Sequence, residues 1–282
     1  MDADVRLDAL VRQVRDLPAL PATVLRVMQL TDDPKAGASD VARALASDQA
    51  LAVRVLKLAN SAFYGASRRI ATVSEAVVIL GLRTTRNLAM ATSCQEMLER
   101  EVAGYAMQRG ALWRHSLACA SAAQMLAKRA GFRGTEEAFV AGLLHDLGKV
   151  VMNTYLSEQF IQVLRRTLEQ SVTYSEAERE VFGFDSAEAG ARLLERWSLP
   201  DSLVSAVRFH HVPLEAPAHS PLPSLVHVAD AICLTLGIGL GVDGLAYALE
   251  PQALANLNLT EDDYEQVASL TCDALSEAGP LF

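Results

Sequence analysis

The stretch AGLLHDLGKVVM, residues 141–152, sets His145 and Asp146 side by side in a run that is otherwise almost wholly apolar. A run of this kind reads as a buried helix, and ionisable groups are seldom buried without partners. It therefore predicts two things together. Helices should pack around it on several sides, and polar side chains from elsewhere in the chain should converge on the His-Asp pair.

Working outward, apolar residues recur with a period close to 3.6 almost everywhere, whereas strand-like alternation bounded by hairpin turns is hard to find. The fold class is all-α. In the first region, roughly residues 1–100, a helix starts just after Pro21 and breaks at Asp33-Pro34. SDVARALASD and DQALAVRVLKLANSA follow as two more helices, with Ser39 and Asp48 placed as N-caps. In LANSAFYG, Asn60 and Gly65 are read as ending a helix and forming a tight turn. TVSEAVVILG and LRTTRNLAMATSCQEML continue the helical pattern across Gly81.

The second region, residues 101–282, opens with a long helix over about 104–130 that ends at AGFRG. The HDLGK helix comes next, then helices over about 155–171, 175–182, 186–197, 200–211, 222–237 and 261–277. The join at MLEREVAGYA has no Pro/Gly/Ser-rich linker, so the two regions are expected to pack as one rigid body.

Composition narrows the function. With 282 residues, 51% hydrophobic and 21% charged, the chain has material for a substantial core. Its net charge is −9 and its arginine pairs are scattered, which excludes nucleic acid as a main partner. The N-terminal sequence lacks the basic start and apolar core of a signal peptide. The most apolar late stretch, LVHVADAICLTLGIGLGV, is interrupted by His227 and Asp230, so no membrane span is expected. Four cysteines without a CxxC pair read as buried free thiols, and the expected compartment is the cytoplasm.

The polar residues carried inward by these helices point to chemistry. His115 lies in LWRHSLACASAAQML, His145 and Asp146 follow, His210 and His211 end DSLVSAVRFHH, and Asp230 sits in LVHVADAICL. Imidazole and carboxylate together suit a divalent ion such as Fe, Mn, Zn or Mg. Neighbours on a helix point about 100° apart, so His145 and Asp146 reach one ion only if it lies between their directions. His210 and His211 also suit a helix C-terminus as cations. Lys149, one turn after His145, either meets a phosphate or snorkels to water, and the second reading is favoured. For a hydrolytic role Asp146 and Lys149 are the catalytic candidates, beside a metal that acidifies a bound water. No dense cluster of Lys and Arg surrounds them, so the case for hydrolysis is thinner than the case for metal.

The order H…HD…D resembles the signature of the HD superfamily of metal-dependent phosphohydrolases, with His115, His145, Asp146 and Asp230 matching its four positions. LPALPATVLRVMQL, SDQALAVRVLKLANSAFYG and ATVSEAVVILGLRTTRNLA are similar to the HDOD domain family, a branch of that superfamily. The likeness covers roughly residues 10–235. It implies an HD-like helical bundle with an N-terminal helical subdomain and a bacterial signalling module working beside receivers or cyclic-dinucleotide enzymes. Hydrolase activity in that family is usually undemonstrated.

Two features depart from active cyclic-dinucleotide phosphodiesterases. Ser186 stands where related chains tend to place a histidine, and VPLEAPAHSPLP after His210-His211 has no Gly-Tyr-Pro. The expectation is a non-catalytic regulatory protein with a divalent metal at His115, His145, Asp146 and Asp230, His210 and His211 being further candidates. No organic cofactor is expected. The alternative is a metal-dependent phosphohydrolase acting on a nucleotide or other phosphate ester.

Overall fold

The structure, a computed structural model, describes residues 7–8, 10, 20–60, 69–156, 159–217 and 220–278. Among the described residues there is no strand, only an isolated β-bridge between Val102 and Met107, so the fold is all-α. The chain divides into two compact units, one built on residues 97–271 and the other on residues within 18–96.

The smaller unit holds α1 (Ala22–Asp32), α2 (Ala38–Ala46), α3 (Gln49–Ala59), α4 (Val73–Leu80) and most of α5 (Leu82–Leu98). Helical spacing of apolar residues sets its core: α1 buries Val24, Val27 and Leu30, and α3 buries Leu51, Val55 and Leu58. Asp48 caps α3, its side chain accepting from the Leu51 amide at 3.0 Å. Ser39 is not the cap of α2. The helix begins one residue earlier, and the Gly37 amide is instead met by the Asp40 carboxylate at 2.9 Å. Asn60 ends α3 and pairs with the Ile70 backbone in both directions, at 2.7 and 2.8 Å. Gly65 lies outside the described residues.

The larger unit is organised around α6 (Ala111–Arg129), a helix buried on most of its circumference. A helix apolar all round belongs in the centre of a bundle. It packs against α7 (Thr135–Leu144) and α13 (Leu222–Thr235); α8 (Leu147–Leu156) packs against α11 (Ser186–Arg196), which also meets α12 (Asp201–Phe209). The remaining helices are α9 (Phe160–Gln170), α10 (Tyr174–Phe182), α14 (Pro251–Asn256) and α15 (Glu261–Ala278), the last counted in this unit only through residue 271.

Two expectations about this unit are corrected. The long helix starts at Ala111, not near 104, because residues 102–107 fold into a tight turn closed by the Val102–Met107 bridge, and Asn153 accepts the Gly104 amide at 2.8 Å. The HDLGK segment is not inside one helix either. The helix stops at Leu144, His145 and Asp146 form a turn, and α8 begins at Leu147.

Two glycines permit the close packing that positions this turn. A Cβ at Gly148 would run into the Ser186 carbonyl and crowd the Gly190 amide, so α8 lies with its backbone directly on α11. A Cβ at Gly142 would stand 2.8 Å from the Cys119 carbonyl oxygen, so α7 rests on the backbone of α6. Burial also corrects one cysteine: Cys94, Cys119 and Cys233 are buried free thiols, but Cys272 is exposed. Among the described residues no helix is long and apolar enough to cross a membrane.

Candidate metal centre

The helix break at His145-Asp146 lets both side chains face one point, which consecutive residues of an unbroken helix do less readily. His115 arrives from α6, Asp230 from α13 and His210 from the end of α12. His115 Nε2 stands 3.0 Å from Asp230 Oδ1 and 3.5 Å from Asp146 Oδ2. His145 Nε2 stands 3.2 Å from Asp146 Oδ2 and 3.9 Å from Asp230 Oδ1, and His210 Nε2 lies 4.0 Å from Asp146 Oδ1. All five residues are buried. Two ligand atoms around one tetrahedral ion, each at about 2.0–2.3 Å, stand roughly 3.5 Å apart. The observed spacing is of that size.

The three imidazoles are oriented alike. Nδ1 of His115 meets the Ile238 carbonyl at 2.9 Å, Nδ1 of His145 meets Gly142 at 2.8 Å, and Nδ1 of His210 meets Val207 at 2.7 Å. A carbonyl only accepts, so each Nδ1 carries a proton and each Nε2 is the nitrogen turned inward, free to ligate wherever the ring is neutral. No hydrogen bond reaches any of these buried Nε2 atoms, the short approach of Asp230 to His115 included. A ring held through one nitrogen by the backbone, with the other free beside carboxylates, is the arrangement of a metal ligand.

His227 shows the contrast. It is buried on α13, but its Nδ1 meets the His210 carbonyl at 2.8 Å and its Nε2 accepts the Glu250 amide at 2.9 Å. Both nitrogens are used in tying backbone segments together. His211 stands outside the convergent groups and lines a neighbouring cavity instead.

Electrostatics follow from the excess of carboxylates. Burial opposes charge on His115, but Asp230 and Asp146 overcome it and lift its pKa to about 10. Burial would likewise raise Asp146, yet His145, Lys149 and His115 hold its carboxyl well below the usual range. Asp230 is held low in the same way, chiefly by His115. A proton on His115 and a bound cation are thus alternative answers to the same negative charge. His210 behaves differently: burial and the neighbouring His145 push its pKa down to about 4, so it is a neutral imidazole and not the helix-end cation its position allowed.

Lys149 does not snorkel. It is 4% exposed, and its Nζ donates to Asp146 Oδ2 at 2.7 Å and forms an ion pair with Asp243 Oδ2 at 2.5 Å. Beyond it lies a cavity of about 20 Å³, the room of roughly one water molecule. Its walls include Glu178, Asp230, Asp243, Ser186 and His211. Glu178 accepts from the Tyr105 hydroxyl and, at 2.9 Å, from the Ser186 amide. Burial nevertheless pushes its pKa up to about 8.

Sequence reasoning missed Asp243, Glu178 and Cys119. Asp243 follows a glycine-rich loop with no periodic signal, and Glu178 sits on a helix that reads as amphipathic. Cys119 stands one turn after His115, and a spacing of four on one helix was the available signal.

An all-α bundle with a His-His-Asp-Asp set and free imidazole nitrogens at its centre defines a protein of the HD superfamily. The HDOD domain profile matches residues 17–213, and the chain belongs to the HDOD domain family. It is similar to an HDOD domain protein of unknown function from Geobacter sulfurreducens, at 31% identity and TM-score 0.80 over 100% of this chain and 99% of that one. A candidate phosphohydrolase from Shewanella amazonensis SB2B is 25% identical, with TM-score 0.75 over 96% of this chain and 97% of that one. An uncharacterised protein of Treponema pallidum (strain Nichols) is 31% identical over 220 residues. That match takes in 77% of this chain but 42% of the relative, so the chain spans less than half the length of this curated relative.

Proposed function

We propose that this chain is a regulatory HDOD protein that holds one divalent cation at His115, His145, Asp146 and Asp230, with His210 beside them, and uses it for structure or signalling and not for hydrolysis. The observation that carries the reading is the set of three buried Nε2 atoms without hydrogen bonds, set among two carboxylates. Bound there, the ion would supply the positive charge that the carboxylates lack, and Fe, Mn or Zn suits three imidazoles better than Mg does. The backbone carbonyls of Ile238, Gly142 and Val207 would fix ring orientation, and the surrounding apolar helices would keep water out.

Three features argue against turnover of a phosphate ester. The adjoining cavity has room for about one water molecule, which is far below the size of a nucleotide site. Lys149, the cation nearest the His-Asp pair in sequence, is already held by two carboxylates. Asp230 and Asp243 line that cavity, and phosphate is repelled by such carboxylates. Receivers or cyclic-dinucleotide enzymes, as the family resemblance implies, are the partners to test, and the cytoplasm is the compartment proposed.

A second reading, a metal-dependent phosphohydrolase, rests on the four retained HD positions and on the likeness to the Shewanella candidate phosphohydrolase. A screen of the metal-loaded protein against aryl phosphates, nucleotides and cyclic dinucleotides separates the two. Turnover no greater than in Asp146→Ala is expected. Metal-dependent turnover abolished in that variant would replace the first reading with the second.

A further inference from the structure

The larger unit contains a sulfur atom at the metal centre. The Cys119 Sγ lies within 4.8 Å of one ring nitrogen of His115, one of His145 and one carboxylate oxygen of Asp230, and these atoms all lie within the same distance of one another. Its place is fixed by the fold on two sides. Cys119 follows His115 by one helical turn on α6, so both side chains leave the same face. Gly142 allows α7, which leads directly to His145, to rest on the Cys119 backbone.

We infer that Cys119 is a further ligand of the divalent cation, giving a mixed nitrogen, oxygen and sulfur site that selects Zn, Co or Fe over Mg. The inference rests on the proposed metal site and specifies its chemistry. Two independent observations meet in it: a fully buried sulfur among three ligating side chains, and histidine Nε2 atoms beside it that nothing in the protein satisfies. Any shift needed is small, since no two of these atoms stand more than 4.8 Å apart and two ligands of a tetrahedral ion stand roughly 3.5 Å apart. A thiolate is a soft ligand, and its presence turns a set that accepts several hard or borderline ions toward the borderline ones.

Cys119 without metal is an inert thiol. Burial and the neighbouring Cys233 raise its pKa well above the ordinary value. On coordination the S–H proton leaves to solvent, the sulfur lone pair forms the bond to the metal, and no electron changes hands. Cys233, three residues after Asp230 on α13, lies outside the convergent group and is the natural control.

The test is cobalt spectroscopy on the metal-free, reduced full chain, titrated with Co²⁺. The wild type and Cys233→Ser are expected to show visible d–d bands together with a near-ultraviolet thiolate-to-cobalt charge-transfer band. Cys119→Ser, with Cys119→Ala as a second variant if serine perturbs folding by circular dichroism, is expected to keep the d–d bands and lose the charge-transfer band. Its Zn²⁺ affinity should fall by roughly tenfold or more. Cobalt bound by the wild type without a charge-transfer band, or a band that survives in both Cys119 variants, overturns the ligand assignment alone. No cobalt binding by a folded wild type overturns the metal site itself and this inference with it.

Discussion

Buried Lys149 and half-buried Asp243 form an ion pair, Nζ to Oδ2 at 2.5 Å, and the same ammonium reaches Asp146 at 2.7 Å. The lysine of the HDLGK stretch is therefore an internal counter-ion that ties the His-Asp turn to the segment Val242–Ala246. Removing the lysine leaves Asp146 to its histidines and takes from Asp243 the cation it meets, and loss of one partner of a buried pair costs about 3–5 kcal/mol. Lys149→Met in the metal-free protein should lose stability of that order in urea denaturation. Lys149→Met combined with Asp243→Asn should recover part of it, because the double variant buries one carboxylate fewer. Additive losses would show that the two side chains do not interact.

Gly148 gives a second prediction. The backbone of α8 sits against Ser186 and Gly190 on α11, with no space for a side-chain carbon. Gly148→Ala should force the helices apart and cost more than the roughly 1–3 kcal/mol typical of overpacking against side chains, since backbone yields less. Gly131→Ala, at a helix end where an added Cβ meets nothing, isolates the backbone-strain contribution expected at its φ of +67°. Equal Tm losses for the two variants would mean that the close crossing is relieved cheaply.

Stability should depend on pH through Glu178. Its pKa rises from an ordinary 4.5 to about 8 on folding, mainly by burial. Between those values the folded protein binds more protons than the unfolded chain, so this group makes stability fall as pH rises through the window and adds no further slope above it. Glu178→Gln keeps an oxygen for the Ser186 amide and removes the titration. Its Tm should decline less than that of the wild type from about pH 5 to about pH 9. Parallel curves would show that Glu178 is ionised throughout.

The two kinds of buried histidine should separate by metal content. His145→Ala removes an inward-facing nitrogen and should abolish stoichiometric binding. His227→Ala cuts hydrogen bonds to the His210 carbonyl and the Glu250 amide, so it should lower Tm while the metal content of the folded fraction stays unchanged. Loss of metal in both variants would mean that His227 positions the site as strongly as a ligand does.

The helices were legible because apolar spacing repeats along almost the whole chain, and the four HD positions were legible as polar residues inside apolar runs. What was hidden depends on tertiary contact. The turn at 102–107 relies on Asn153, about fifty positions later, and the break at His145-Asp146 occurs within a run whose composition favours continuous helix. Cys119 reads as one more small apolar residue until His145 and Asp230 are brought beside it. Sequence places His210 among the candidate ligands and His227 only as a break in an apolar run. Only their hydrogen bonds distinguish a free Nε2 from one that accepts a backbone amide.

The most direct measurement is the metal content of the protein purified without chelators, by plasma mass spectrometry, beside His115→Ala and Asp146→Ala. Close to one equivalent of Fe, Mn or Zn is expected in the wild type and its loss in both variants, with each variant still helical by circular dichroism. A folded wild type that carries no divalent metal, and takes up none when dialysed against these ions, would contradict it.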